Sequence, residues 1–191
     1  MLMIALDTET GGLDSTEHSI LSVGMWTVDT VECTVTNPLY FTIKEPEIVV
    51  VPEAMAINGL DLEHIESDGV SPEGACTIIN NYCKEVGTKP TPLGHQVAFD
   101  MGFLQRLYRL GGGAPLPFHY RTIDVPSVLT TMYLARLLPR DISSSQKALE
   151  YFGMSRGAIH NALHDAKCTA TVYLNLLAIL GGDGYEKGDS R

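Results

Sequence analysis

Aromatic side chains are scarce in this sequence, 7% of 191 residues with a single tryptophan. No apolar run approaches the roughly 20 residues that a membrane-spanning helix needs. The apolar start, Met1 to Leu6, is short, lacks a basic leader and runs straight into acids. It is therefore expected to be neither a signal peptide nor an anchor, and the chain is expected to be cytoplasmic with no membrane partner. Cysteine is sparse too. Cys33, Cys76, Cys83 and Cys168 contain no C-x-x-C pair and have no histidine at finger spacing, so they read as reduced core thiols. Cys76 and Cys83, seven apart, fall on the buried face of one expected helix.

Positive charge is also in short supply: 13 lysines and arginines stand against 23 acids, a formal net charge of −10. That balance argues at first against a nucleic-acid partner, yet it is uneven. Residues 1–100 hold 3 basic and 16 acidic residues, whereas residues 101–191 hold 10 and 7. Arg106, Arg109, Arg136, Arg140, Lys147, Arg156 and Lys167 can thus face phosphate, although scattered basic side chains equally serve as an ordinary solvated surface.

The length suits one domain with a sizeable core, expected over residues 1–180, with a disordered Gly-rich tail over 181–191. Three strands open the chain, Leu2–Leu6, Ile20–Val28 and Leu39–Ile43, with turns at Gly11–Ser15 and Val35–Pro38. Pro52–Gly59 reads as a short helix, and Pro72–Glu85 as a longer one entered by Ser71 and left by Gly87. Pro92–Gly94 is a short strand feeding a helix over Val97–Leu110. Arg121–Val125 is another strand, and Pro126–Leu138, Ser145–Phe152 and Asn161–Leu180 complete the chain as helices. Strands first, then strands alternating with helices, predict an α/β fold with a mixed sheet flanked by helices.

Asp7 and Glu9 close the first strand at i and i+2, on one strand face. Side by side in a low-dielectric setting, they force one of the pair to protonate unless a cation sits between them. An exposed strand end with solvated acids is the plainer reading of the same spacing. Asp100 lies in the first turn of a helix that follows a strand, where an acid also complements the helix dipole. His160 precedes Asp165 by five residues at the start of the last helix, so it sits in the loop or cap while the acid points inward. His164 is turned roughly 100° away from Asp165 by helical geometry. Asp124 ends a strand and reads as structural.

In order, Asp7-x-Glu9, Asp100, and His160 with Asp165 resemble the DEDDh superfamily of 3′-to-5′ exonucleases, and within it the ribonuclease T branch. The resemblance covers nearly the whole chain, with softer support from Pro52–Gly59, Pro117-Phe118-His119 and Lys147–Met154. It implies a ribonuclease H-like fold with a mixed five-stranded sheet, and stepwise hydrolysis from the 3′ end of single-stranded DNA or RNA. Hard cations prefer oxygen ligands, and four carboxylates against two Mg²⁺ or Mn²⁺ ions are electrically neutral. By the family pattern Asp7 bridges both ions, Asp165 holds the one carrying the attacking water, Glu9 and Asp100 complete the shells, and His160 takes the proton.

The family also stacks terminal bases between phenylalanines. Phe99 and Phe118 match those positions, while Leu13 and Ile57 stand where the others would be, and aliphatic groups lose part of a stacking energy of about 1–3 kcal/mol per base. Glu53 matches a glutamate that reads the last base, and is equally a first-turn helix acid. Gln96 stands where an asparagine is usual, and Thr8 and Thr10 match contacts to the terminal sugar. Expected partners are single-stranded 3′ ends, with a homodimer or a polymerase as further candidates. The competing readings are a polymerase-associated proofreading exonuclease, a catalytically inactive nucleic-acid-binding module, and a metal-dependent phosphatase.

Overall fold

The computed structural model describes residues 1–87, 89–155 and 161–182. The opening apolar run is β1 (Leu2–Thr10), followed by β2 (Ile20–Asp29) and β3 (Thr34–Thr42). Helices α1 (Pro52–Asn58), α2 (Leu62–Asp68) and α3 (Pro72–Val86) lead to β4 (Thr91–Gly94). Then come α4 (Val97–Leu110), β5 (Ile123–Asp124), α5 (Val125–Leu134), α6 (Ser145–Tyr151) and α7 (Ala162–Gly181). The sheet is mixed and five-stranded, in the order β3-β2-β1-β4-β5. The first three strands are antiparallel, β4 runs parallel to β1, and β5 runs parallel to β4.

Strand β1 is central, and its period-two alternation serves two cores. Ile4 and Leu6 pack with Ile79, Phe103, Leu104 and Leu107 of α3 and α4. Met3 and Ala5 pack with Val125, Leu129, Leu149 and Leu176 of α5, α6 and α7. Burying each large side chain of this kind contributes about 1.5–3 kcal/mol. The consequence for the strand's end is direct: Asp7 and Glu9 continue the face that meets α7, and Thr8 continues the face that meets α4.

Four differences from the expected elements have physical causes. Strand β3 begins at Thr34, not Leu39, and the turn lies at Thr30–Cys33 instead of Val35–Pro38. Met25 pairs with Leu39 and Thr27 with Thr36, so Asn37 and Pro38 face Trp26 as a bulge. Asn37 takes φ +56° there, and an edge strand tolerates both bulge and proline. Helix α2 was not expected because only Ile65 is buried in it, which leaves no apolar periodicity to see. Strand β5 shrinks to two residues because Asp124 turns to cap α5, accepting from the Ser127 amide at 3.2 Å. Cys33 is exposed on the β2–β3 turn, so only Cys76, Cys83 and Cys168 are core thiols. Burial pushes the Cys83 thiol up to about 12. Of the expected tail, residues 183–191 lie outside the described residues.

Sheet and helix backbones approach each other closely at Gly24. A Cβ placed there would lie 2.3 Å from the Ala162 carbonyl carbon and from the Leu163 nitrogen. The first turn of α7 therefore rests on bare β2 backbone, and the Trp26 indole N–H secures it by donating to the Leu163 carbonyl at 2.8 Å. Gly24→Ala must push α7 off the sheet, because both clashing atoms are backbone. Chemical denaturation is expected to show a loss of about 3 kcal/mol for Gly24→Ala, the upper range for core overpacking, against less than about 1 kcal/mol for a surface exchange such as Thr77→Ala.

Candidate active site

Gly24 is the register partner of Asp7 on β1. The helix start that lies over Gly24 therefore brings the first turn of α7 beside the Asp7 carboxylate. Asn161 caps that turn by accepting from the His164 amide at 3.1 Å, and Asp165 is buried inward from it. Asp7, Glu9 and Asp165 each offer one carboxylate oxygen, all within 4.8 Å of one another. Two ionised carboxylates at that separation repel by about 3 kcal/mol at an effective dielectric of about 20. A hard divalent cation among them turns the repulsion into ligation, and a set made only of carboxylate oxygens suits Mg²⁺ or Mn²⁺ better than a softer metal.

Asp100 is built differently from the other three acids. It is 3% exposed in the first turn of α4, and its Oδ1 accepts from the Thr8 amide at 2.9 Å and the Thr8 hydroxyl at 2.8 Å. It lines the same cavity but stands outside the close trio of carboxylates. Burial pushes its carboxyl up to about 7, and the two Thr8 hydrogen bonds act in the opposite direction.

The cavity above these acids has a volume of about 510 Å³. Of the residues proposed from sequence, Thr8, Thr10, Leu13, Glu53, Ile57, Gln96 and Phe99 all line it. Leu13 at 87% and Ile57 at 55% exposure form its open rim, and Phe99 packs on Phe103 at 4.9 Å between ring centroids. Phe118 does not line it, being buried in the core beside α3 and α4. Gln96 is the N-cap of α4 at φ +62°, a left-handed conformation that asparagine adopts more easily. His160 lies outside the described residues. His164 turns its Nε2 toward the Ser155 carbonyl at 3.3 Å and the Cys168 sulfur at 3.4 Å.

Sequence reasoning missed Val51, Asn58, His95, Ser145 and Thr169 as cavity residues. Asn58 carried a faint signal, a polar residue at the end of a short helix. It is 3% exposed and ties α1 to β1 by donating to the Thr10 carbonyl at 3.2 Å.

The Asp100 shift makes stability depend on pH in a definite direction. Its folded pKa lies above the ordinary value of 3.8, so between about pH 4 and 7 the folded state keeps a proton that the unfolded state has released. The stability it contributes is complete below about pH 4 and is lost as pH rises to about 7. Denaturant titrations in EDTA at pH 4.5 and 7.5 are expected to show wild-type protein losing more stability on going to pH 7.5 than Asp100→Asn does.

Known proteins supply the context for this geometry. The model of the RNase T family, described as Exonuclease, matches residues 4–173. The chain is 26% identical over 181 residues to the 3′-5′ DNA exonuclease Cap18 of Escherichia coli, covering 90% of this chain and 89% of that protein. Its fold is similar to E. coli Exonuclease I in complex with a dT13 oligonucleotide, with a TM-score of 0.77 at 17% identity. That likeness covers 93% of this chain and 40% of Exonuclease I, so this chain spans less than half the length of that protein. It is similar as well to the nuclease domain of 3′hExo, a DEDDh family member solved bound to rAMP, with a TM-score of 0.74 at 18% identity, covering 96% and 92% of the two chains. With nearly its whole length matched, from β1 into α7, this chain belongs to the RNase T family of exonucleases.

Proposed function

We propose that this protein is a metal-dependent 3′-5′ exonuclease that removes nucleotides from the 3′ end of single-stranded DNA or RNA. The observation that carries the reading is the convergence of Asp7, Glu9 and Asp165 within 4.8 Å beside an apolar-rimmed cavity. Asp7, Glu9, Asp165 and Asp100 would hold two divalent ions. Bound there, the ions neutralise charge on the phosphate and leaving oxygen and lower the pKa of water. His160, which precedes Asn161 in the sequence, would serve as the general base toward the attacking water.

The chain's own residues account for the rest of the fit. The Thr8 hydroxyl gives its hydrogen to Asp100, and the Thr10 hydroxyl gives its hydrogen to the Gly12 carbonyl at 2.8 Å. Both oxygens are left able only to accept, which suits a donating hydroxyl on a terminal sugar. Leu13, Ile57 and Phe99 offer apolar surface to a terminal base, and Glu53 offers an acceptor to its edge. A splayed single-stranded end reaches such a rim, whereas stacked duplex bases do not. Cap18, named as a DNA exonuclease, supports DNA, and the rAMP complex of 3′hExo supports RNA. The reading keeps both.

The test uses 3′- and 5′-labelled single strands of DNA and RNA. Stepwise shortening from the 3′ end in Mg²⁺, abolished by EDTA, is expected. Asp165→Asn and His160→Ala are each expected to lower kcat by about 100-fold or more while the circular dichroism spectrum stays unchanged. Tight binding without cleavage would overturn the reading in favour of an inactive module. Cleavage undiminished in Asp165→Asn would overturn the assignment of the metal site.

A further inference from the structure

A buried polar network beside the cavity has no part in the chemistry described above. Glu45, 2% exposed, accepts from the Ser19 hydroxyl at 2.8 Å, the Ile20 amide at 3.1 Å and the Arg106 guanidinium. Arg106 donates to it from Nε at 3.1 and 3.2 Å and from Nη2 at 2.8 Å. Its remaining arm, Nη1, leaves the ion pair and donates to the Thr16 carbonyl at 3.2 Å. Arg106 was one of the arginines able to face phosphate by sequence, and its guanidinium is instead engaged inside this network.

Thr16 belongs to the loop of residues 11–19 that follows β1 and presents Leu13 to the cavity. The base of that loop is pinned by the Gly11 amide donating to the Ser19 carbonyl at 2.8 Å and the Val51 amide donating to the Gly11 carbonyl at 2.7 Å. Its tip is held mostly by itself: the Asp14 carboxylate accepts from the Thr16 amide and hydroxyl, and the His18 amide donates to the Asp14 carbonyl. The Thr10 hydroxyl holds Gly12 at the start of the loop, and Arg106 reaches the backbone of the tip itself, residues 14–18, from α4. Gly102, one turn earlier on the same face of α4, lets the helix pass close to the loop, since a Cβ there would lie 3.1 Å from the Ser15 hydroxyl.

We infer that Arg106 is a positioning residue that fixes the Leu13 rim against α4, and so sets the grip on the terminal nucleotide without touching it. One helix then carries Phe99 in the cavity lining and, about two turns later, the strap that holds the loop bearing Leu13. The ion pair alone does not explain the arrangement. Glu45 is satisfied by two other donors and by two nitrogens of the guanidinium, and a buried pair by itself contributes little net stability. The third arm reaches the loop because a guanidinium is a rigid fork with donors in several directions. A lysine keeps the charge opposite Glu45, but its single ammonium cannot span both Glu45 and Thr16.

This inference rests on the exonuclease reading, and Arg106→Lys separates the two. With a labelled single strand, KM is expected to rise about five-fold and kcat to stay within about two-fold, the size of a lost apolar contact to a base. In a Leu13→Ala background the same exchange is expected to change KM by less than about 1.5-fold, because coupled residues are not additive. Hydrogen exchange is expected to quicken at amides 13–18 and to stay constant in β1 and α4. A matching loss in kcat, full additivity with Leu13→Ala, or unchanged exchange in the loop would each overturn the inference. Wild-type protein that leaves every strand uncut would overturn the exonuclease reading, and the exchange measurement would still decide whether Arg106 holds the loop.

Discussion

Backbone meets backbone where α7 crosses β2 at Gly24, and the site depends on that contact. Asp7 is opposite Gly24 in the strand register, so whatever lies over the glycine lies beside the acid. Any larger residue would hold the helix away by the width of a side chain and separate Asp165 from Asp7 and Glu9. The Trp26 indole and the Asn161 cap then keep the helix start in place. A carboxylate cluster that electrostatics alone would disperse is held together by packing, and the strain of like charge is what gives such a site its affinity for a cation.

The two faces of β1 divide the work. The face toward α7 ends in Asp7 and Glu9, which meet Asp165; the face toward α4 ends in Thr8, which holds Asp100. Because the two faces belong to different cores, Asp100 has its own anchor in Thr8 and is buried at the wall of the cavity it shares with the trio. The acidity of residues 1–100 is also less forbidding to a nucleic acid than the total charge suggests. Part of it is gathered at a place fit for cations, and Glu45 is neutralised by Arg106.

Legibility in the sequence followed the kind of signal each residue leaves. Strand β1, helices α3, α4 and α7, and the acids they carry stood out because long apolar periodicity and ordered motifs survive without any knowledge of partners. Strand β3 was misplaced because Asn37-Pro38 carries turn chemistry, whereas an edge strand accommodates it as a bulge. Helix α2 left no trace because one buried residue makes no period. Phe118 was assigned to the cavity by its match to a motif, but an aromatic side chain looks the same in a sequence whether it lines a pocket or fills a core. Arg106 was grouped with surface bases because its partner, Glu45, is 61 residues away.

The sequence by itself determined the long elements, the family and the order of the candidate acids, because those rest on local periodicity and on residue types in a fixed order. Only the tertiary structure decided which acids stand close together, that Asp100 is held apart by Thr8, and that a rim of Leu13 and Ile57 overhangs the cavity. Those facts come from strand register, from one glycine under a helix and from side chains that meet across long stretches of chain. Such contacts are set by how layers pack, and packing distance is a property that no single segment of the chain encodes.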